Sequence, residues 1–263
     1  MNAPLATRDA ARDALRIYIM RMGLSLSEFA SRTGFAHHSL RQFVSTSRYG
    51  AGEGQFTAEA LMNYMEANPW EPPELPGHLY ETEATREMDS LISYCRGGRW
   101  ATLYGPAGAQ KSFLLEYRAA QAARDPEPGF VWLPIPGRMT PCGILRLIAT
   151  GIAAPYAQSA EGLRQSILHR LRARNTVLVI AFDEADLLYK DVDTLEVIRR
   201  LGDALRGCLG IIVAGNEQIQ ILFRPRGDRY FEQWRSRIQQ KEVHILALRG
   251  KRLGILLGWN SAT

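Results

Sequence analysis

Two stretches of the 263-residue chain place side chains where phosphate chemistry needs them. In residues 105–112, Gly-Pro-Ala-Gly-Ala-Gln-Lys-Ser, the glycines let backbone N–H groups curl round an anion. A helix starting at the lysine would add the positive end of its dipole. The spacing is that of a phosphate-binding loop, G-x-x-x-x-G-K-[ST], with Gln110 standing where the second glycine belongs. Lys111 is expected to reach the β- and γ-phosphates of a nucleotide, and Ser112 to ligand Mg²⁺. The expected cofactor-binding set is Gly105, Pro106, Ala107, Gly108, Ala109, Gln110, Lys111, Ser112 and Phe113. Glutamine accepts the required backbone less readily than glycine, which predicts weakened affinity or turnover. A Gly-rich strand-to-helix turn without a ligand has the same local look, so the loop needs a second element.

That element is residues 176–184, Thr-Val-Leu-Val-Ile-Ala-Phe-Asp-Glu, a continuous apolar run ending in two acids. It predicts a buried parallel strand whose C-terminal end carries Asp183 to hold the Mg²⁺ shell and Glu184 to orient or activate an attacking water. A third run, residues 210–216, ends in Asn216, whose amide suits a contact to that water or to the γ-phosphate; a plain Gly-Asn turn is the alternative.

Positioning these groups calls for strands at Trp100–Tyr104, Phe130–Pro134, 177–182, 210–214 and 243–246, separated by helical stretches. The alternation predicts an α/β fold, a P-loop NTPase parallel sheet flanked by helices. Four prolines within residues 68–77 cannot continue a helix or a central strand. They divide the chain into a small all-α domain at 1–67, a linker at 68–77 and the α/β core at 78–263.

The small domain reads as a helix-turn-helix over residues 24–44. Ala30 lets two helices approach, Gly34 turns between them, and Leu40 with Phe43 bury the second helix. Ser27 is expected to cap the first of the pair, with Glu28 in its opening turn. Preceding helix 14–22 should bury Leu15, Ile19 and Met22, and a helix at 57–66 should close the module through Leu61 and Met65. The outer face then carries His37, His38, Arg41 and Gln42, side chains able to reach base edges and phosphates. A bundle used only for protein contacts is the alternative.

Composition narrows the class further. Hydrophobic residues make up 46% and charged residues 22%, as in ordinary globular proteins. No apolar run approaches the roughly 20 residues of a membrane helix, and the N-terminus has no hydrophobic signal core. Cys95, Cys142 and Cys208 match neither a disulfide framework nor a zinc site, so a cytoplasmic protein is expected. The net charge of +5 is unevenly spread, with local excesses of +4 over residues 8–48 and +6 over residues 221–254. A polyanionic partner is the natural reading.

Residues 105–112, 179–184 and Asn216 together resemble the Walker A, Walker B and sensor-1 motifs of the AAA+ ATPases. Residues 230–238, Tyr-Phe-Glu-Gln-Trp-Arg-Ser-Arg-Ile, resemble the Ser-Arg segment of that family. The resemblance implies that Arg237, with Arg235 as the alternate, reaches the γ-phosphate held by a neighbouring subunit; an exposed basic helix is the plain alternative. A helix-turn-helix placed before a small AAA+ core is similar to the MuB, TnsC and IstB group of transposition regulators. That similarity implies ATP and Mg²⁺ as cofactors, a homo-oligomeric filament or ring on duplex DNA, contact largely independent of sequence, a transposase as partner, and hydrolysis driving disassembly. It also implies Arg138 and Arg146 as phosphate contacts. The family's helical lid has little counterpart, since only residues 247–263 follow the last expected strand; a short or absent lid predicts weaker hydrolysis than binding. A repressor with a degenerate ATPase-like core, and an ATPase of phage defence or signalling, share the same motifs.

Overall fold

The computed structural model describes residues 5–22, 24–45, 53–69, 75, 79–125, 127–155, 157–188, 191–220, 234, 236–237 and 241–246. Residues 247–263, Arg235 and most of the proline-rich stretch lie outside them. The chain divides into two compact units, one formed by Met1–Pro73 with Pro141–Ala173, the other by Glu74–Thr140 with Arg174–Thr263.

The second unit is built on five strands: β1 (Trp100–Tyr104), β2 (Phe130–Pro134), β3 (Leu178–Asp183), β4 (Leu209–Gly215) and β5 (Glu242–His244). They pair in the order β2-β3-β4-β1-β5 and every pairing is parallel. All residues of β3 and β4 are buried, which is why these strands are apolar throughout instead of alternating. Helices α5 (Glu83–Cys95), α6 (Lys111–Ala122) and α9 (Val192–Ala204) belong to the same unit. Thr82 and Thr85 cap α5 reciprocally, each side chain accepting from the other's backbone N–H. Gly210 admits the carbonyl of Cys95 at the end of α5, where a Cβ would collide. Met88, Leu91, Leu103, Leu115, Val179 and Ile212 form the heart of the core. Register fixes the site: Tyr104 lies opposite both Gly215 and His244, and Pro134 opposite Asp183. The C-terminal ends of β1, β3 and β4 therefore come level.

The first unit is helical: α1 (Leu5–Arg21), α2 (Leu26–Thr33), α3 (His37–Ser45), α4 (Glu53–Ala67), α7 (Pro141–Gly151) and α8 (Ala160–Arg172). Leu15, Phe29, Leu40, Phe43 and Leu61 form its core, with Tyr18, Phe29, Phe35 and Tyr64 packed ring to ring. Gly34 closes α2 in the left-handed region, at φ 75°, and its N–H donates to Ala30 O. The cap expected at Ser27 lies at Ser25 instead. Ser25 Oγ accepts from Glu28 N while the Glu28 carboxylate accepts from Ser25 N at 2.7 Å. This reciprocal box needs its partners three positions apart, a spacing to Glu28 that Ser25 has and Ser27 lacks. Met22, expected on the apolar side of α1, falls just past the helix end and is exposed.

Candidate functional site

The loop after β1 is shaped by close backbone approach. Ile245 N–H donates to Tyr104 O at 2.9 Å, and the Ile245 carbonyl occupies the place where a Cβ on Gly105 would stand. Gly108, at φ 77°, has open space around it. Gln110 takes φ 63° and ψ 14°, the left-handed conformation that glycine adopts without cost, and its side chain makes no cap bond to the first turn of α6. The first-turn N–H groups of α6 are thus left for an anion. Ser112 is exposed on that turn, and the half-buried Phe113 packs against the core.

Lys111 is buried, and its Nζ donates to Gly105 O at 2.8 Å and to Pro106 O at 3.0 Å. Burial lowers its pKa, opposed by the negative fields of Asp183, Asp186 and Glu217. The lysine thus sits within electrostatic reach of the acids at and just after the ends of β3 and β4. Asp183 is itself buried, its Oδ1 accepting from Glu184 N at 2.9 Å and its Oδ2 from Trp132 Nε1 at 3.2 Å. Glu184 is exposed and, like Gln110, held in the left-handed region at φ 53°. Strain of this kind persists where the surrounding structure over-determines the backbone. Asn216 is half-buried at the end of β4. Its Nδ2 donates to Asp186 Oδ2 at 2.7 Å, and its Oδ1 accepts from Gln218 N at 2.8 Å.

Lys111, Asp183, Glu184 and Asn216, scattered over more than a hundred residues of sequence, thus meet at one end of the sheet. The arrangement fits a nucleoside triphosphate with Mg²⁺. The loop offers an open, donor-rich turn, Lys111 is a desolvated cation beside it, and Asp183 presents a buried carboxylate. Among the described residues no group of three His, Cys, Asp or Glu could hold a metal unaided. Mg²⁺ takes one or two protein ligands and completes its shell with phosphate and water, a demand that the Asp183 carboxylate and the Ser112 hydroxyl could meet.

Arg237 lies elsewhere. Its guanidinium donates to Asp203 Oδ1 on α9, from Nε at 2.9 Å, and stands 5.9 Å from the ring centre of Trp100. Trp100 opens β1, so Arg237 occupies the end of that strand remote from its own phosphate loop. Arg138 is exposed on the loop after β2, which is pinned to the start of α9: Thr194 Oγ1 donates to Met139 O at 2.6 Å and Met139 N to Asp191 Oδ2 at 3.4 Å. In the helical unit, His37, His38 and Gln42 are exposed on α3, Arg41 is half-buried, and Arg146 is exposed on α7. Asp186, Trp132 and Asp203 were not singled out from sequence. Only Asp186 carried a signal, an acid three residues after Asp183 on the same turn.

Residues 95–223 match the family described as AAA domain. No curated protein matched the chain. Among solved structures, the Aeropyrum pernix ORC2 protein in its ADPNP–ADP complexes is similar at 18% identity and a TM-score of 0.50, over 73% of this chain and 53% of that one. Its ADP form gives 16% identity and a TM-score of 0.50, over 72% and 54%. The Aeropyrum pernix ORC1 protein in complex with DNA gives 21% identity and a TM-score of 0.47, over 68% and 48%. The chain spans about half the length of these relatives. No helix among the described residues is long and apolar enough to cross a membrane. With its parallel five-stranded sheet, its phosphate loop and its match to the AAA domain, the α/β unit has the P-loop AAA+ fold.

Proposed function

We propose that the chain binds ATP with Mg²⁺ through residues 105–113, hydrolyses it, and uses the cycle to control its hold on duplex DNA. The observation that carries the reading is the buried Lys111 ammonium, resting on its own loop's carbonyls and facing Asp183 and Asp186 across the strand ends. On binding, Lys111 exchanges Gly105 O and Pro106 O for β- and γ-phosphate oxygens. Ser112 and Asp183 would hold Mg²⁺, which when bound would supply neutralisation of charge on the phosphates. Glu184 takes a proton from the attacking water and Asn216 orients that water. The water oxygen bonds to the γ-phosphorus as the bond from that phosphorus to the bridging oxygen breaks, leaving ADP and phosphate. Arg237, turned away from its own loop, serves a neighbouring copy within a homo-oligomer.

For DNA, the support is the exposed polar row His37, His38 and Gln42 with Arg41 on α3, the helix-turn-helix reading of α2 and α3, and the exposed Arg138 and Arg146. The placement of residues 1–67, read as a helix-turn-helix module, before the AAA+-like core in the sequence further supports a MuB-like regulator that forms a filament or ring on DNA and presents it to a transposase. A salt titration of DNA binding with and without ATP tests the whole. ATP should strengthen binding, the dependence on salt should be steep, and Lys111→Ala should abolish the ATP effect. Glu184→Gln should retain ATP-stimulated binding and lose turnover. Binding at one operator that ignores ATP and Lys111→Ala would instead mark a repressor, and failure to stimulate any transposase would remove the finer assignment.

A further inference from the structure

Asp186 has no part in the chemistry above, yet both of its carboxylate oxygens accept from Asn216, which does. We propose that it is the positioning residue for Asn216, a two-oxygen clamp joining the turn after β3 to the end of β4. The proposal rests on the ATPase reading of the site and assigns the group that sets Asn216 for its work.

Three observations converge on it. Oδ2 accepts from Asn216 Nδ2 at 2.7 Å, and Oδ1 accepts from the backbone N–H of the same residue at 3.2 Å. Both ends of one asparagine are thus held by one carboxylate. Second, Gly215 immediately precedes it, and any Cβ there would collide with Asp186 Oδ1. The glycine is what lets the carboxylate descend onto the strand end. Third, Asp186 acts electrostatically on Lys111, so the clamp stands beside the phosphate loop.

The consequence is an amide with a defined direction. Turned over, Asn216 would set its own oxygen against the carboxylate, acceptor against acceptor, and would lose the bond that Gln218 N makes to Oδ1. Asp186 therefore fixes which end of the amide is nitrogen. One Nδ2 hydrogen goes to the clamp and the second is left to donate to water or phosphate. A neutral amide at 186 offers one acceptor oxygen in place of two and gives up the charge-assisted bond. Asn216 then turns more freely, and the cost falls on the step it serves rather than on capture of nucleotide.

The test compares Asp186→Asn, Asn216→Ala and the double variant in the full chain, after thermal melts confirm that each folds. Asp186→Asn should lower kcat about ten-fold, as loss of an orienting partner typically does, with KM and ATP affinity within two-fold of wild type. In the Asn216→Ala background it should have no further effect, because the two act as one unit. Multiplying losses, or a rise in KM with kcat intact, would overturn the clamp. A second readout needs no turnover. In the nucleotide-free wild type, one Asn216 Nδ2 proton should be protected from solvent exchange by NMR, and Asp186→Asn should remove that protection. An unprotected amide in the wild type overturns the clamp even if ATP is hydrolysed. A protected amide in a chain that hydrolyses nothing sustains the clamp and sinks the ATPase reading instead.

Discussion

Cations rest on backbone carbonyls in both units of this molecule, to opposite ends. In the helical unit, Arg12 Nε donates to Phe43 O at 2.7 Å and Arg16 reaches Val44 O at 3.0 Å, so two arginines of α1 close the C-terminal end of α3. Arg12 also lies 5.3 Å from the centre of the Phe43 ring, and the two arginines pair with Asp9 and Asp13 on their own helix. In the α/β unit, Lys111 rests on Gly105 O and Pro106 O, and among the described residues no carboxylate is bonded to it. The arginines complete a helix end, where unpaired carbonyls and the negative end of the dipole need a cation. The lysine fills its own loop and is free to be exchanged. The difference shows why counting charges misleads. Of the seven arginines between residues 8 and 48, Arg12 and Arg16 are committed to holding α3 and add nothing to the DNA reading of that region.

Methionine at each position separates the two uses. Lys111→Met should weaken ATP binding by roughly 10²-fold, the scale of losing a key donor to phosphate-like charge. The nucleotide-free chain should change in stability by less than about 1 kcal/mol, because removing a desolvated charge offsets two lost bonds. Arg12→Met should do the reverse. It leaves ATP binding alone and costs the helical unit about 1.5–3 kcal/mol, the usual worth of a charge-assisted bond whose carbonyl is then left buried. Urea denaturation without nucleotide, paired with ATP titration, reads both. Equal losses of stability from the two variants would erase the distinction.

Gln110 sharpens the exchangeable side of the comparison. A non-glycine residue in the left-handed region costs about 1–2 kcal/mol, while glycine gives back about 0.5–1 kcal/mol through its more flexible unfolded chain. Gln110→Gly should therefore stabilise the α/β unit by about 0.5–1 kcal/mol and tighten ATP binding. A loss of stability in denaturation would mean that the glutamine side chain contributes something that outweighs its backbone.

The same residues show what sequence reveals. The ends of β1 and β2 are read correctly, and β3 and β4 to within a residue, because fully buried parallel strands are apolar runs cut off sharply by polar turns. Lys111, Asp183 and Asn216 follow from them, since each stands at a strand end or helix start. Trp132 and Asp203 do not. Trp132 meets Asp183 only because β2 and β3 are neighbours, and Arg237 meets Asp203 across 34 residues of sequence. Neither pairing leaves a periodic trace. Residues 230–238 supplied a motif for Arg237 but could not say which way its side chain turns.

A third kind of cation completes the comparison, one held by carboxylates in place of carbonyls. On α9, Arg199 Nε donates to Glu196 Oε2 at 2.6 Å and its Nη1 to Asp203 Oδ2 at 2.7 Å, while Arg200 Nε reaches Glu196 Oε1 at 2.8 Å. These bonds lower the Glu196 pKa to about 2, the hydrogen bond from Arg199 being the largest cause. A carboxyl whose pKa falls on folding lends its stability in full above its unfolded value, about 4.3, and loses it as pH drops through the folded one. The window therefore runs from about pH 4.3 down to about pH 2. With the side chain 26% exposed, screening holds the effect to about 1 kcal/mol or less, the smallest of the set. Glu196→Gln should match this acid loss at neutral pH and flatten the dependence within the window. Arg12 keeps its bond to Phe43 O throughout, because a carbonyl does not titrate. If Glu196→Gln left the acid profile of the α/β unit unchanged, the ion pairs of α9 would be contributing no more than a solvated surface does.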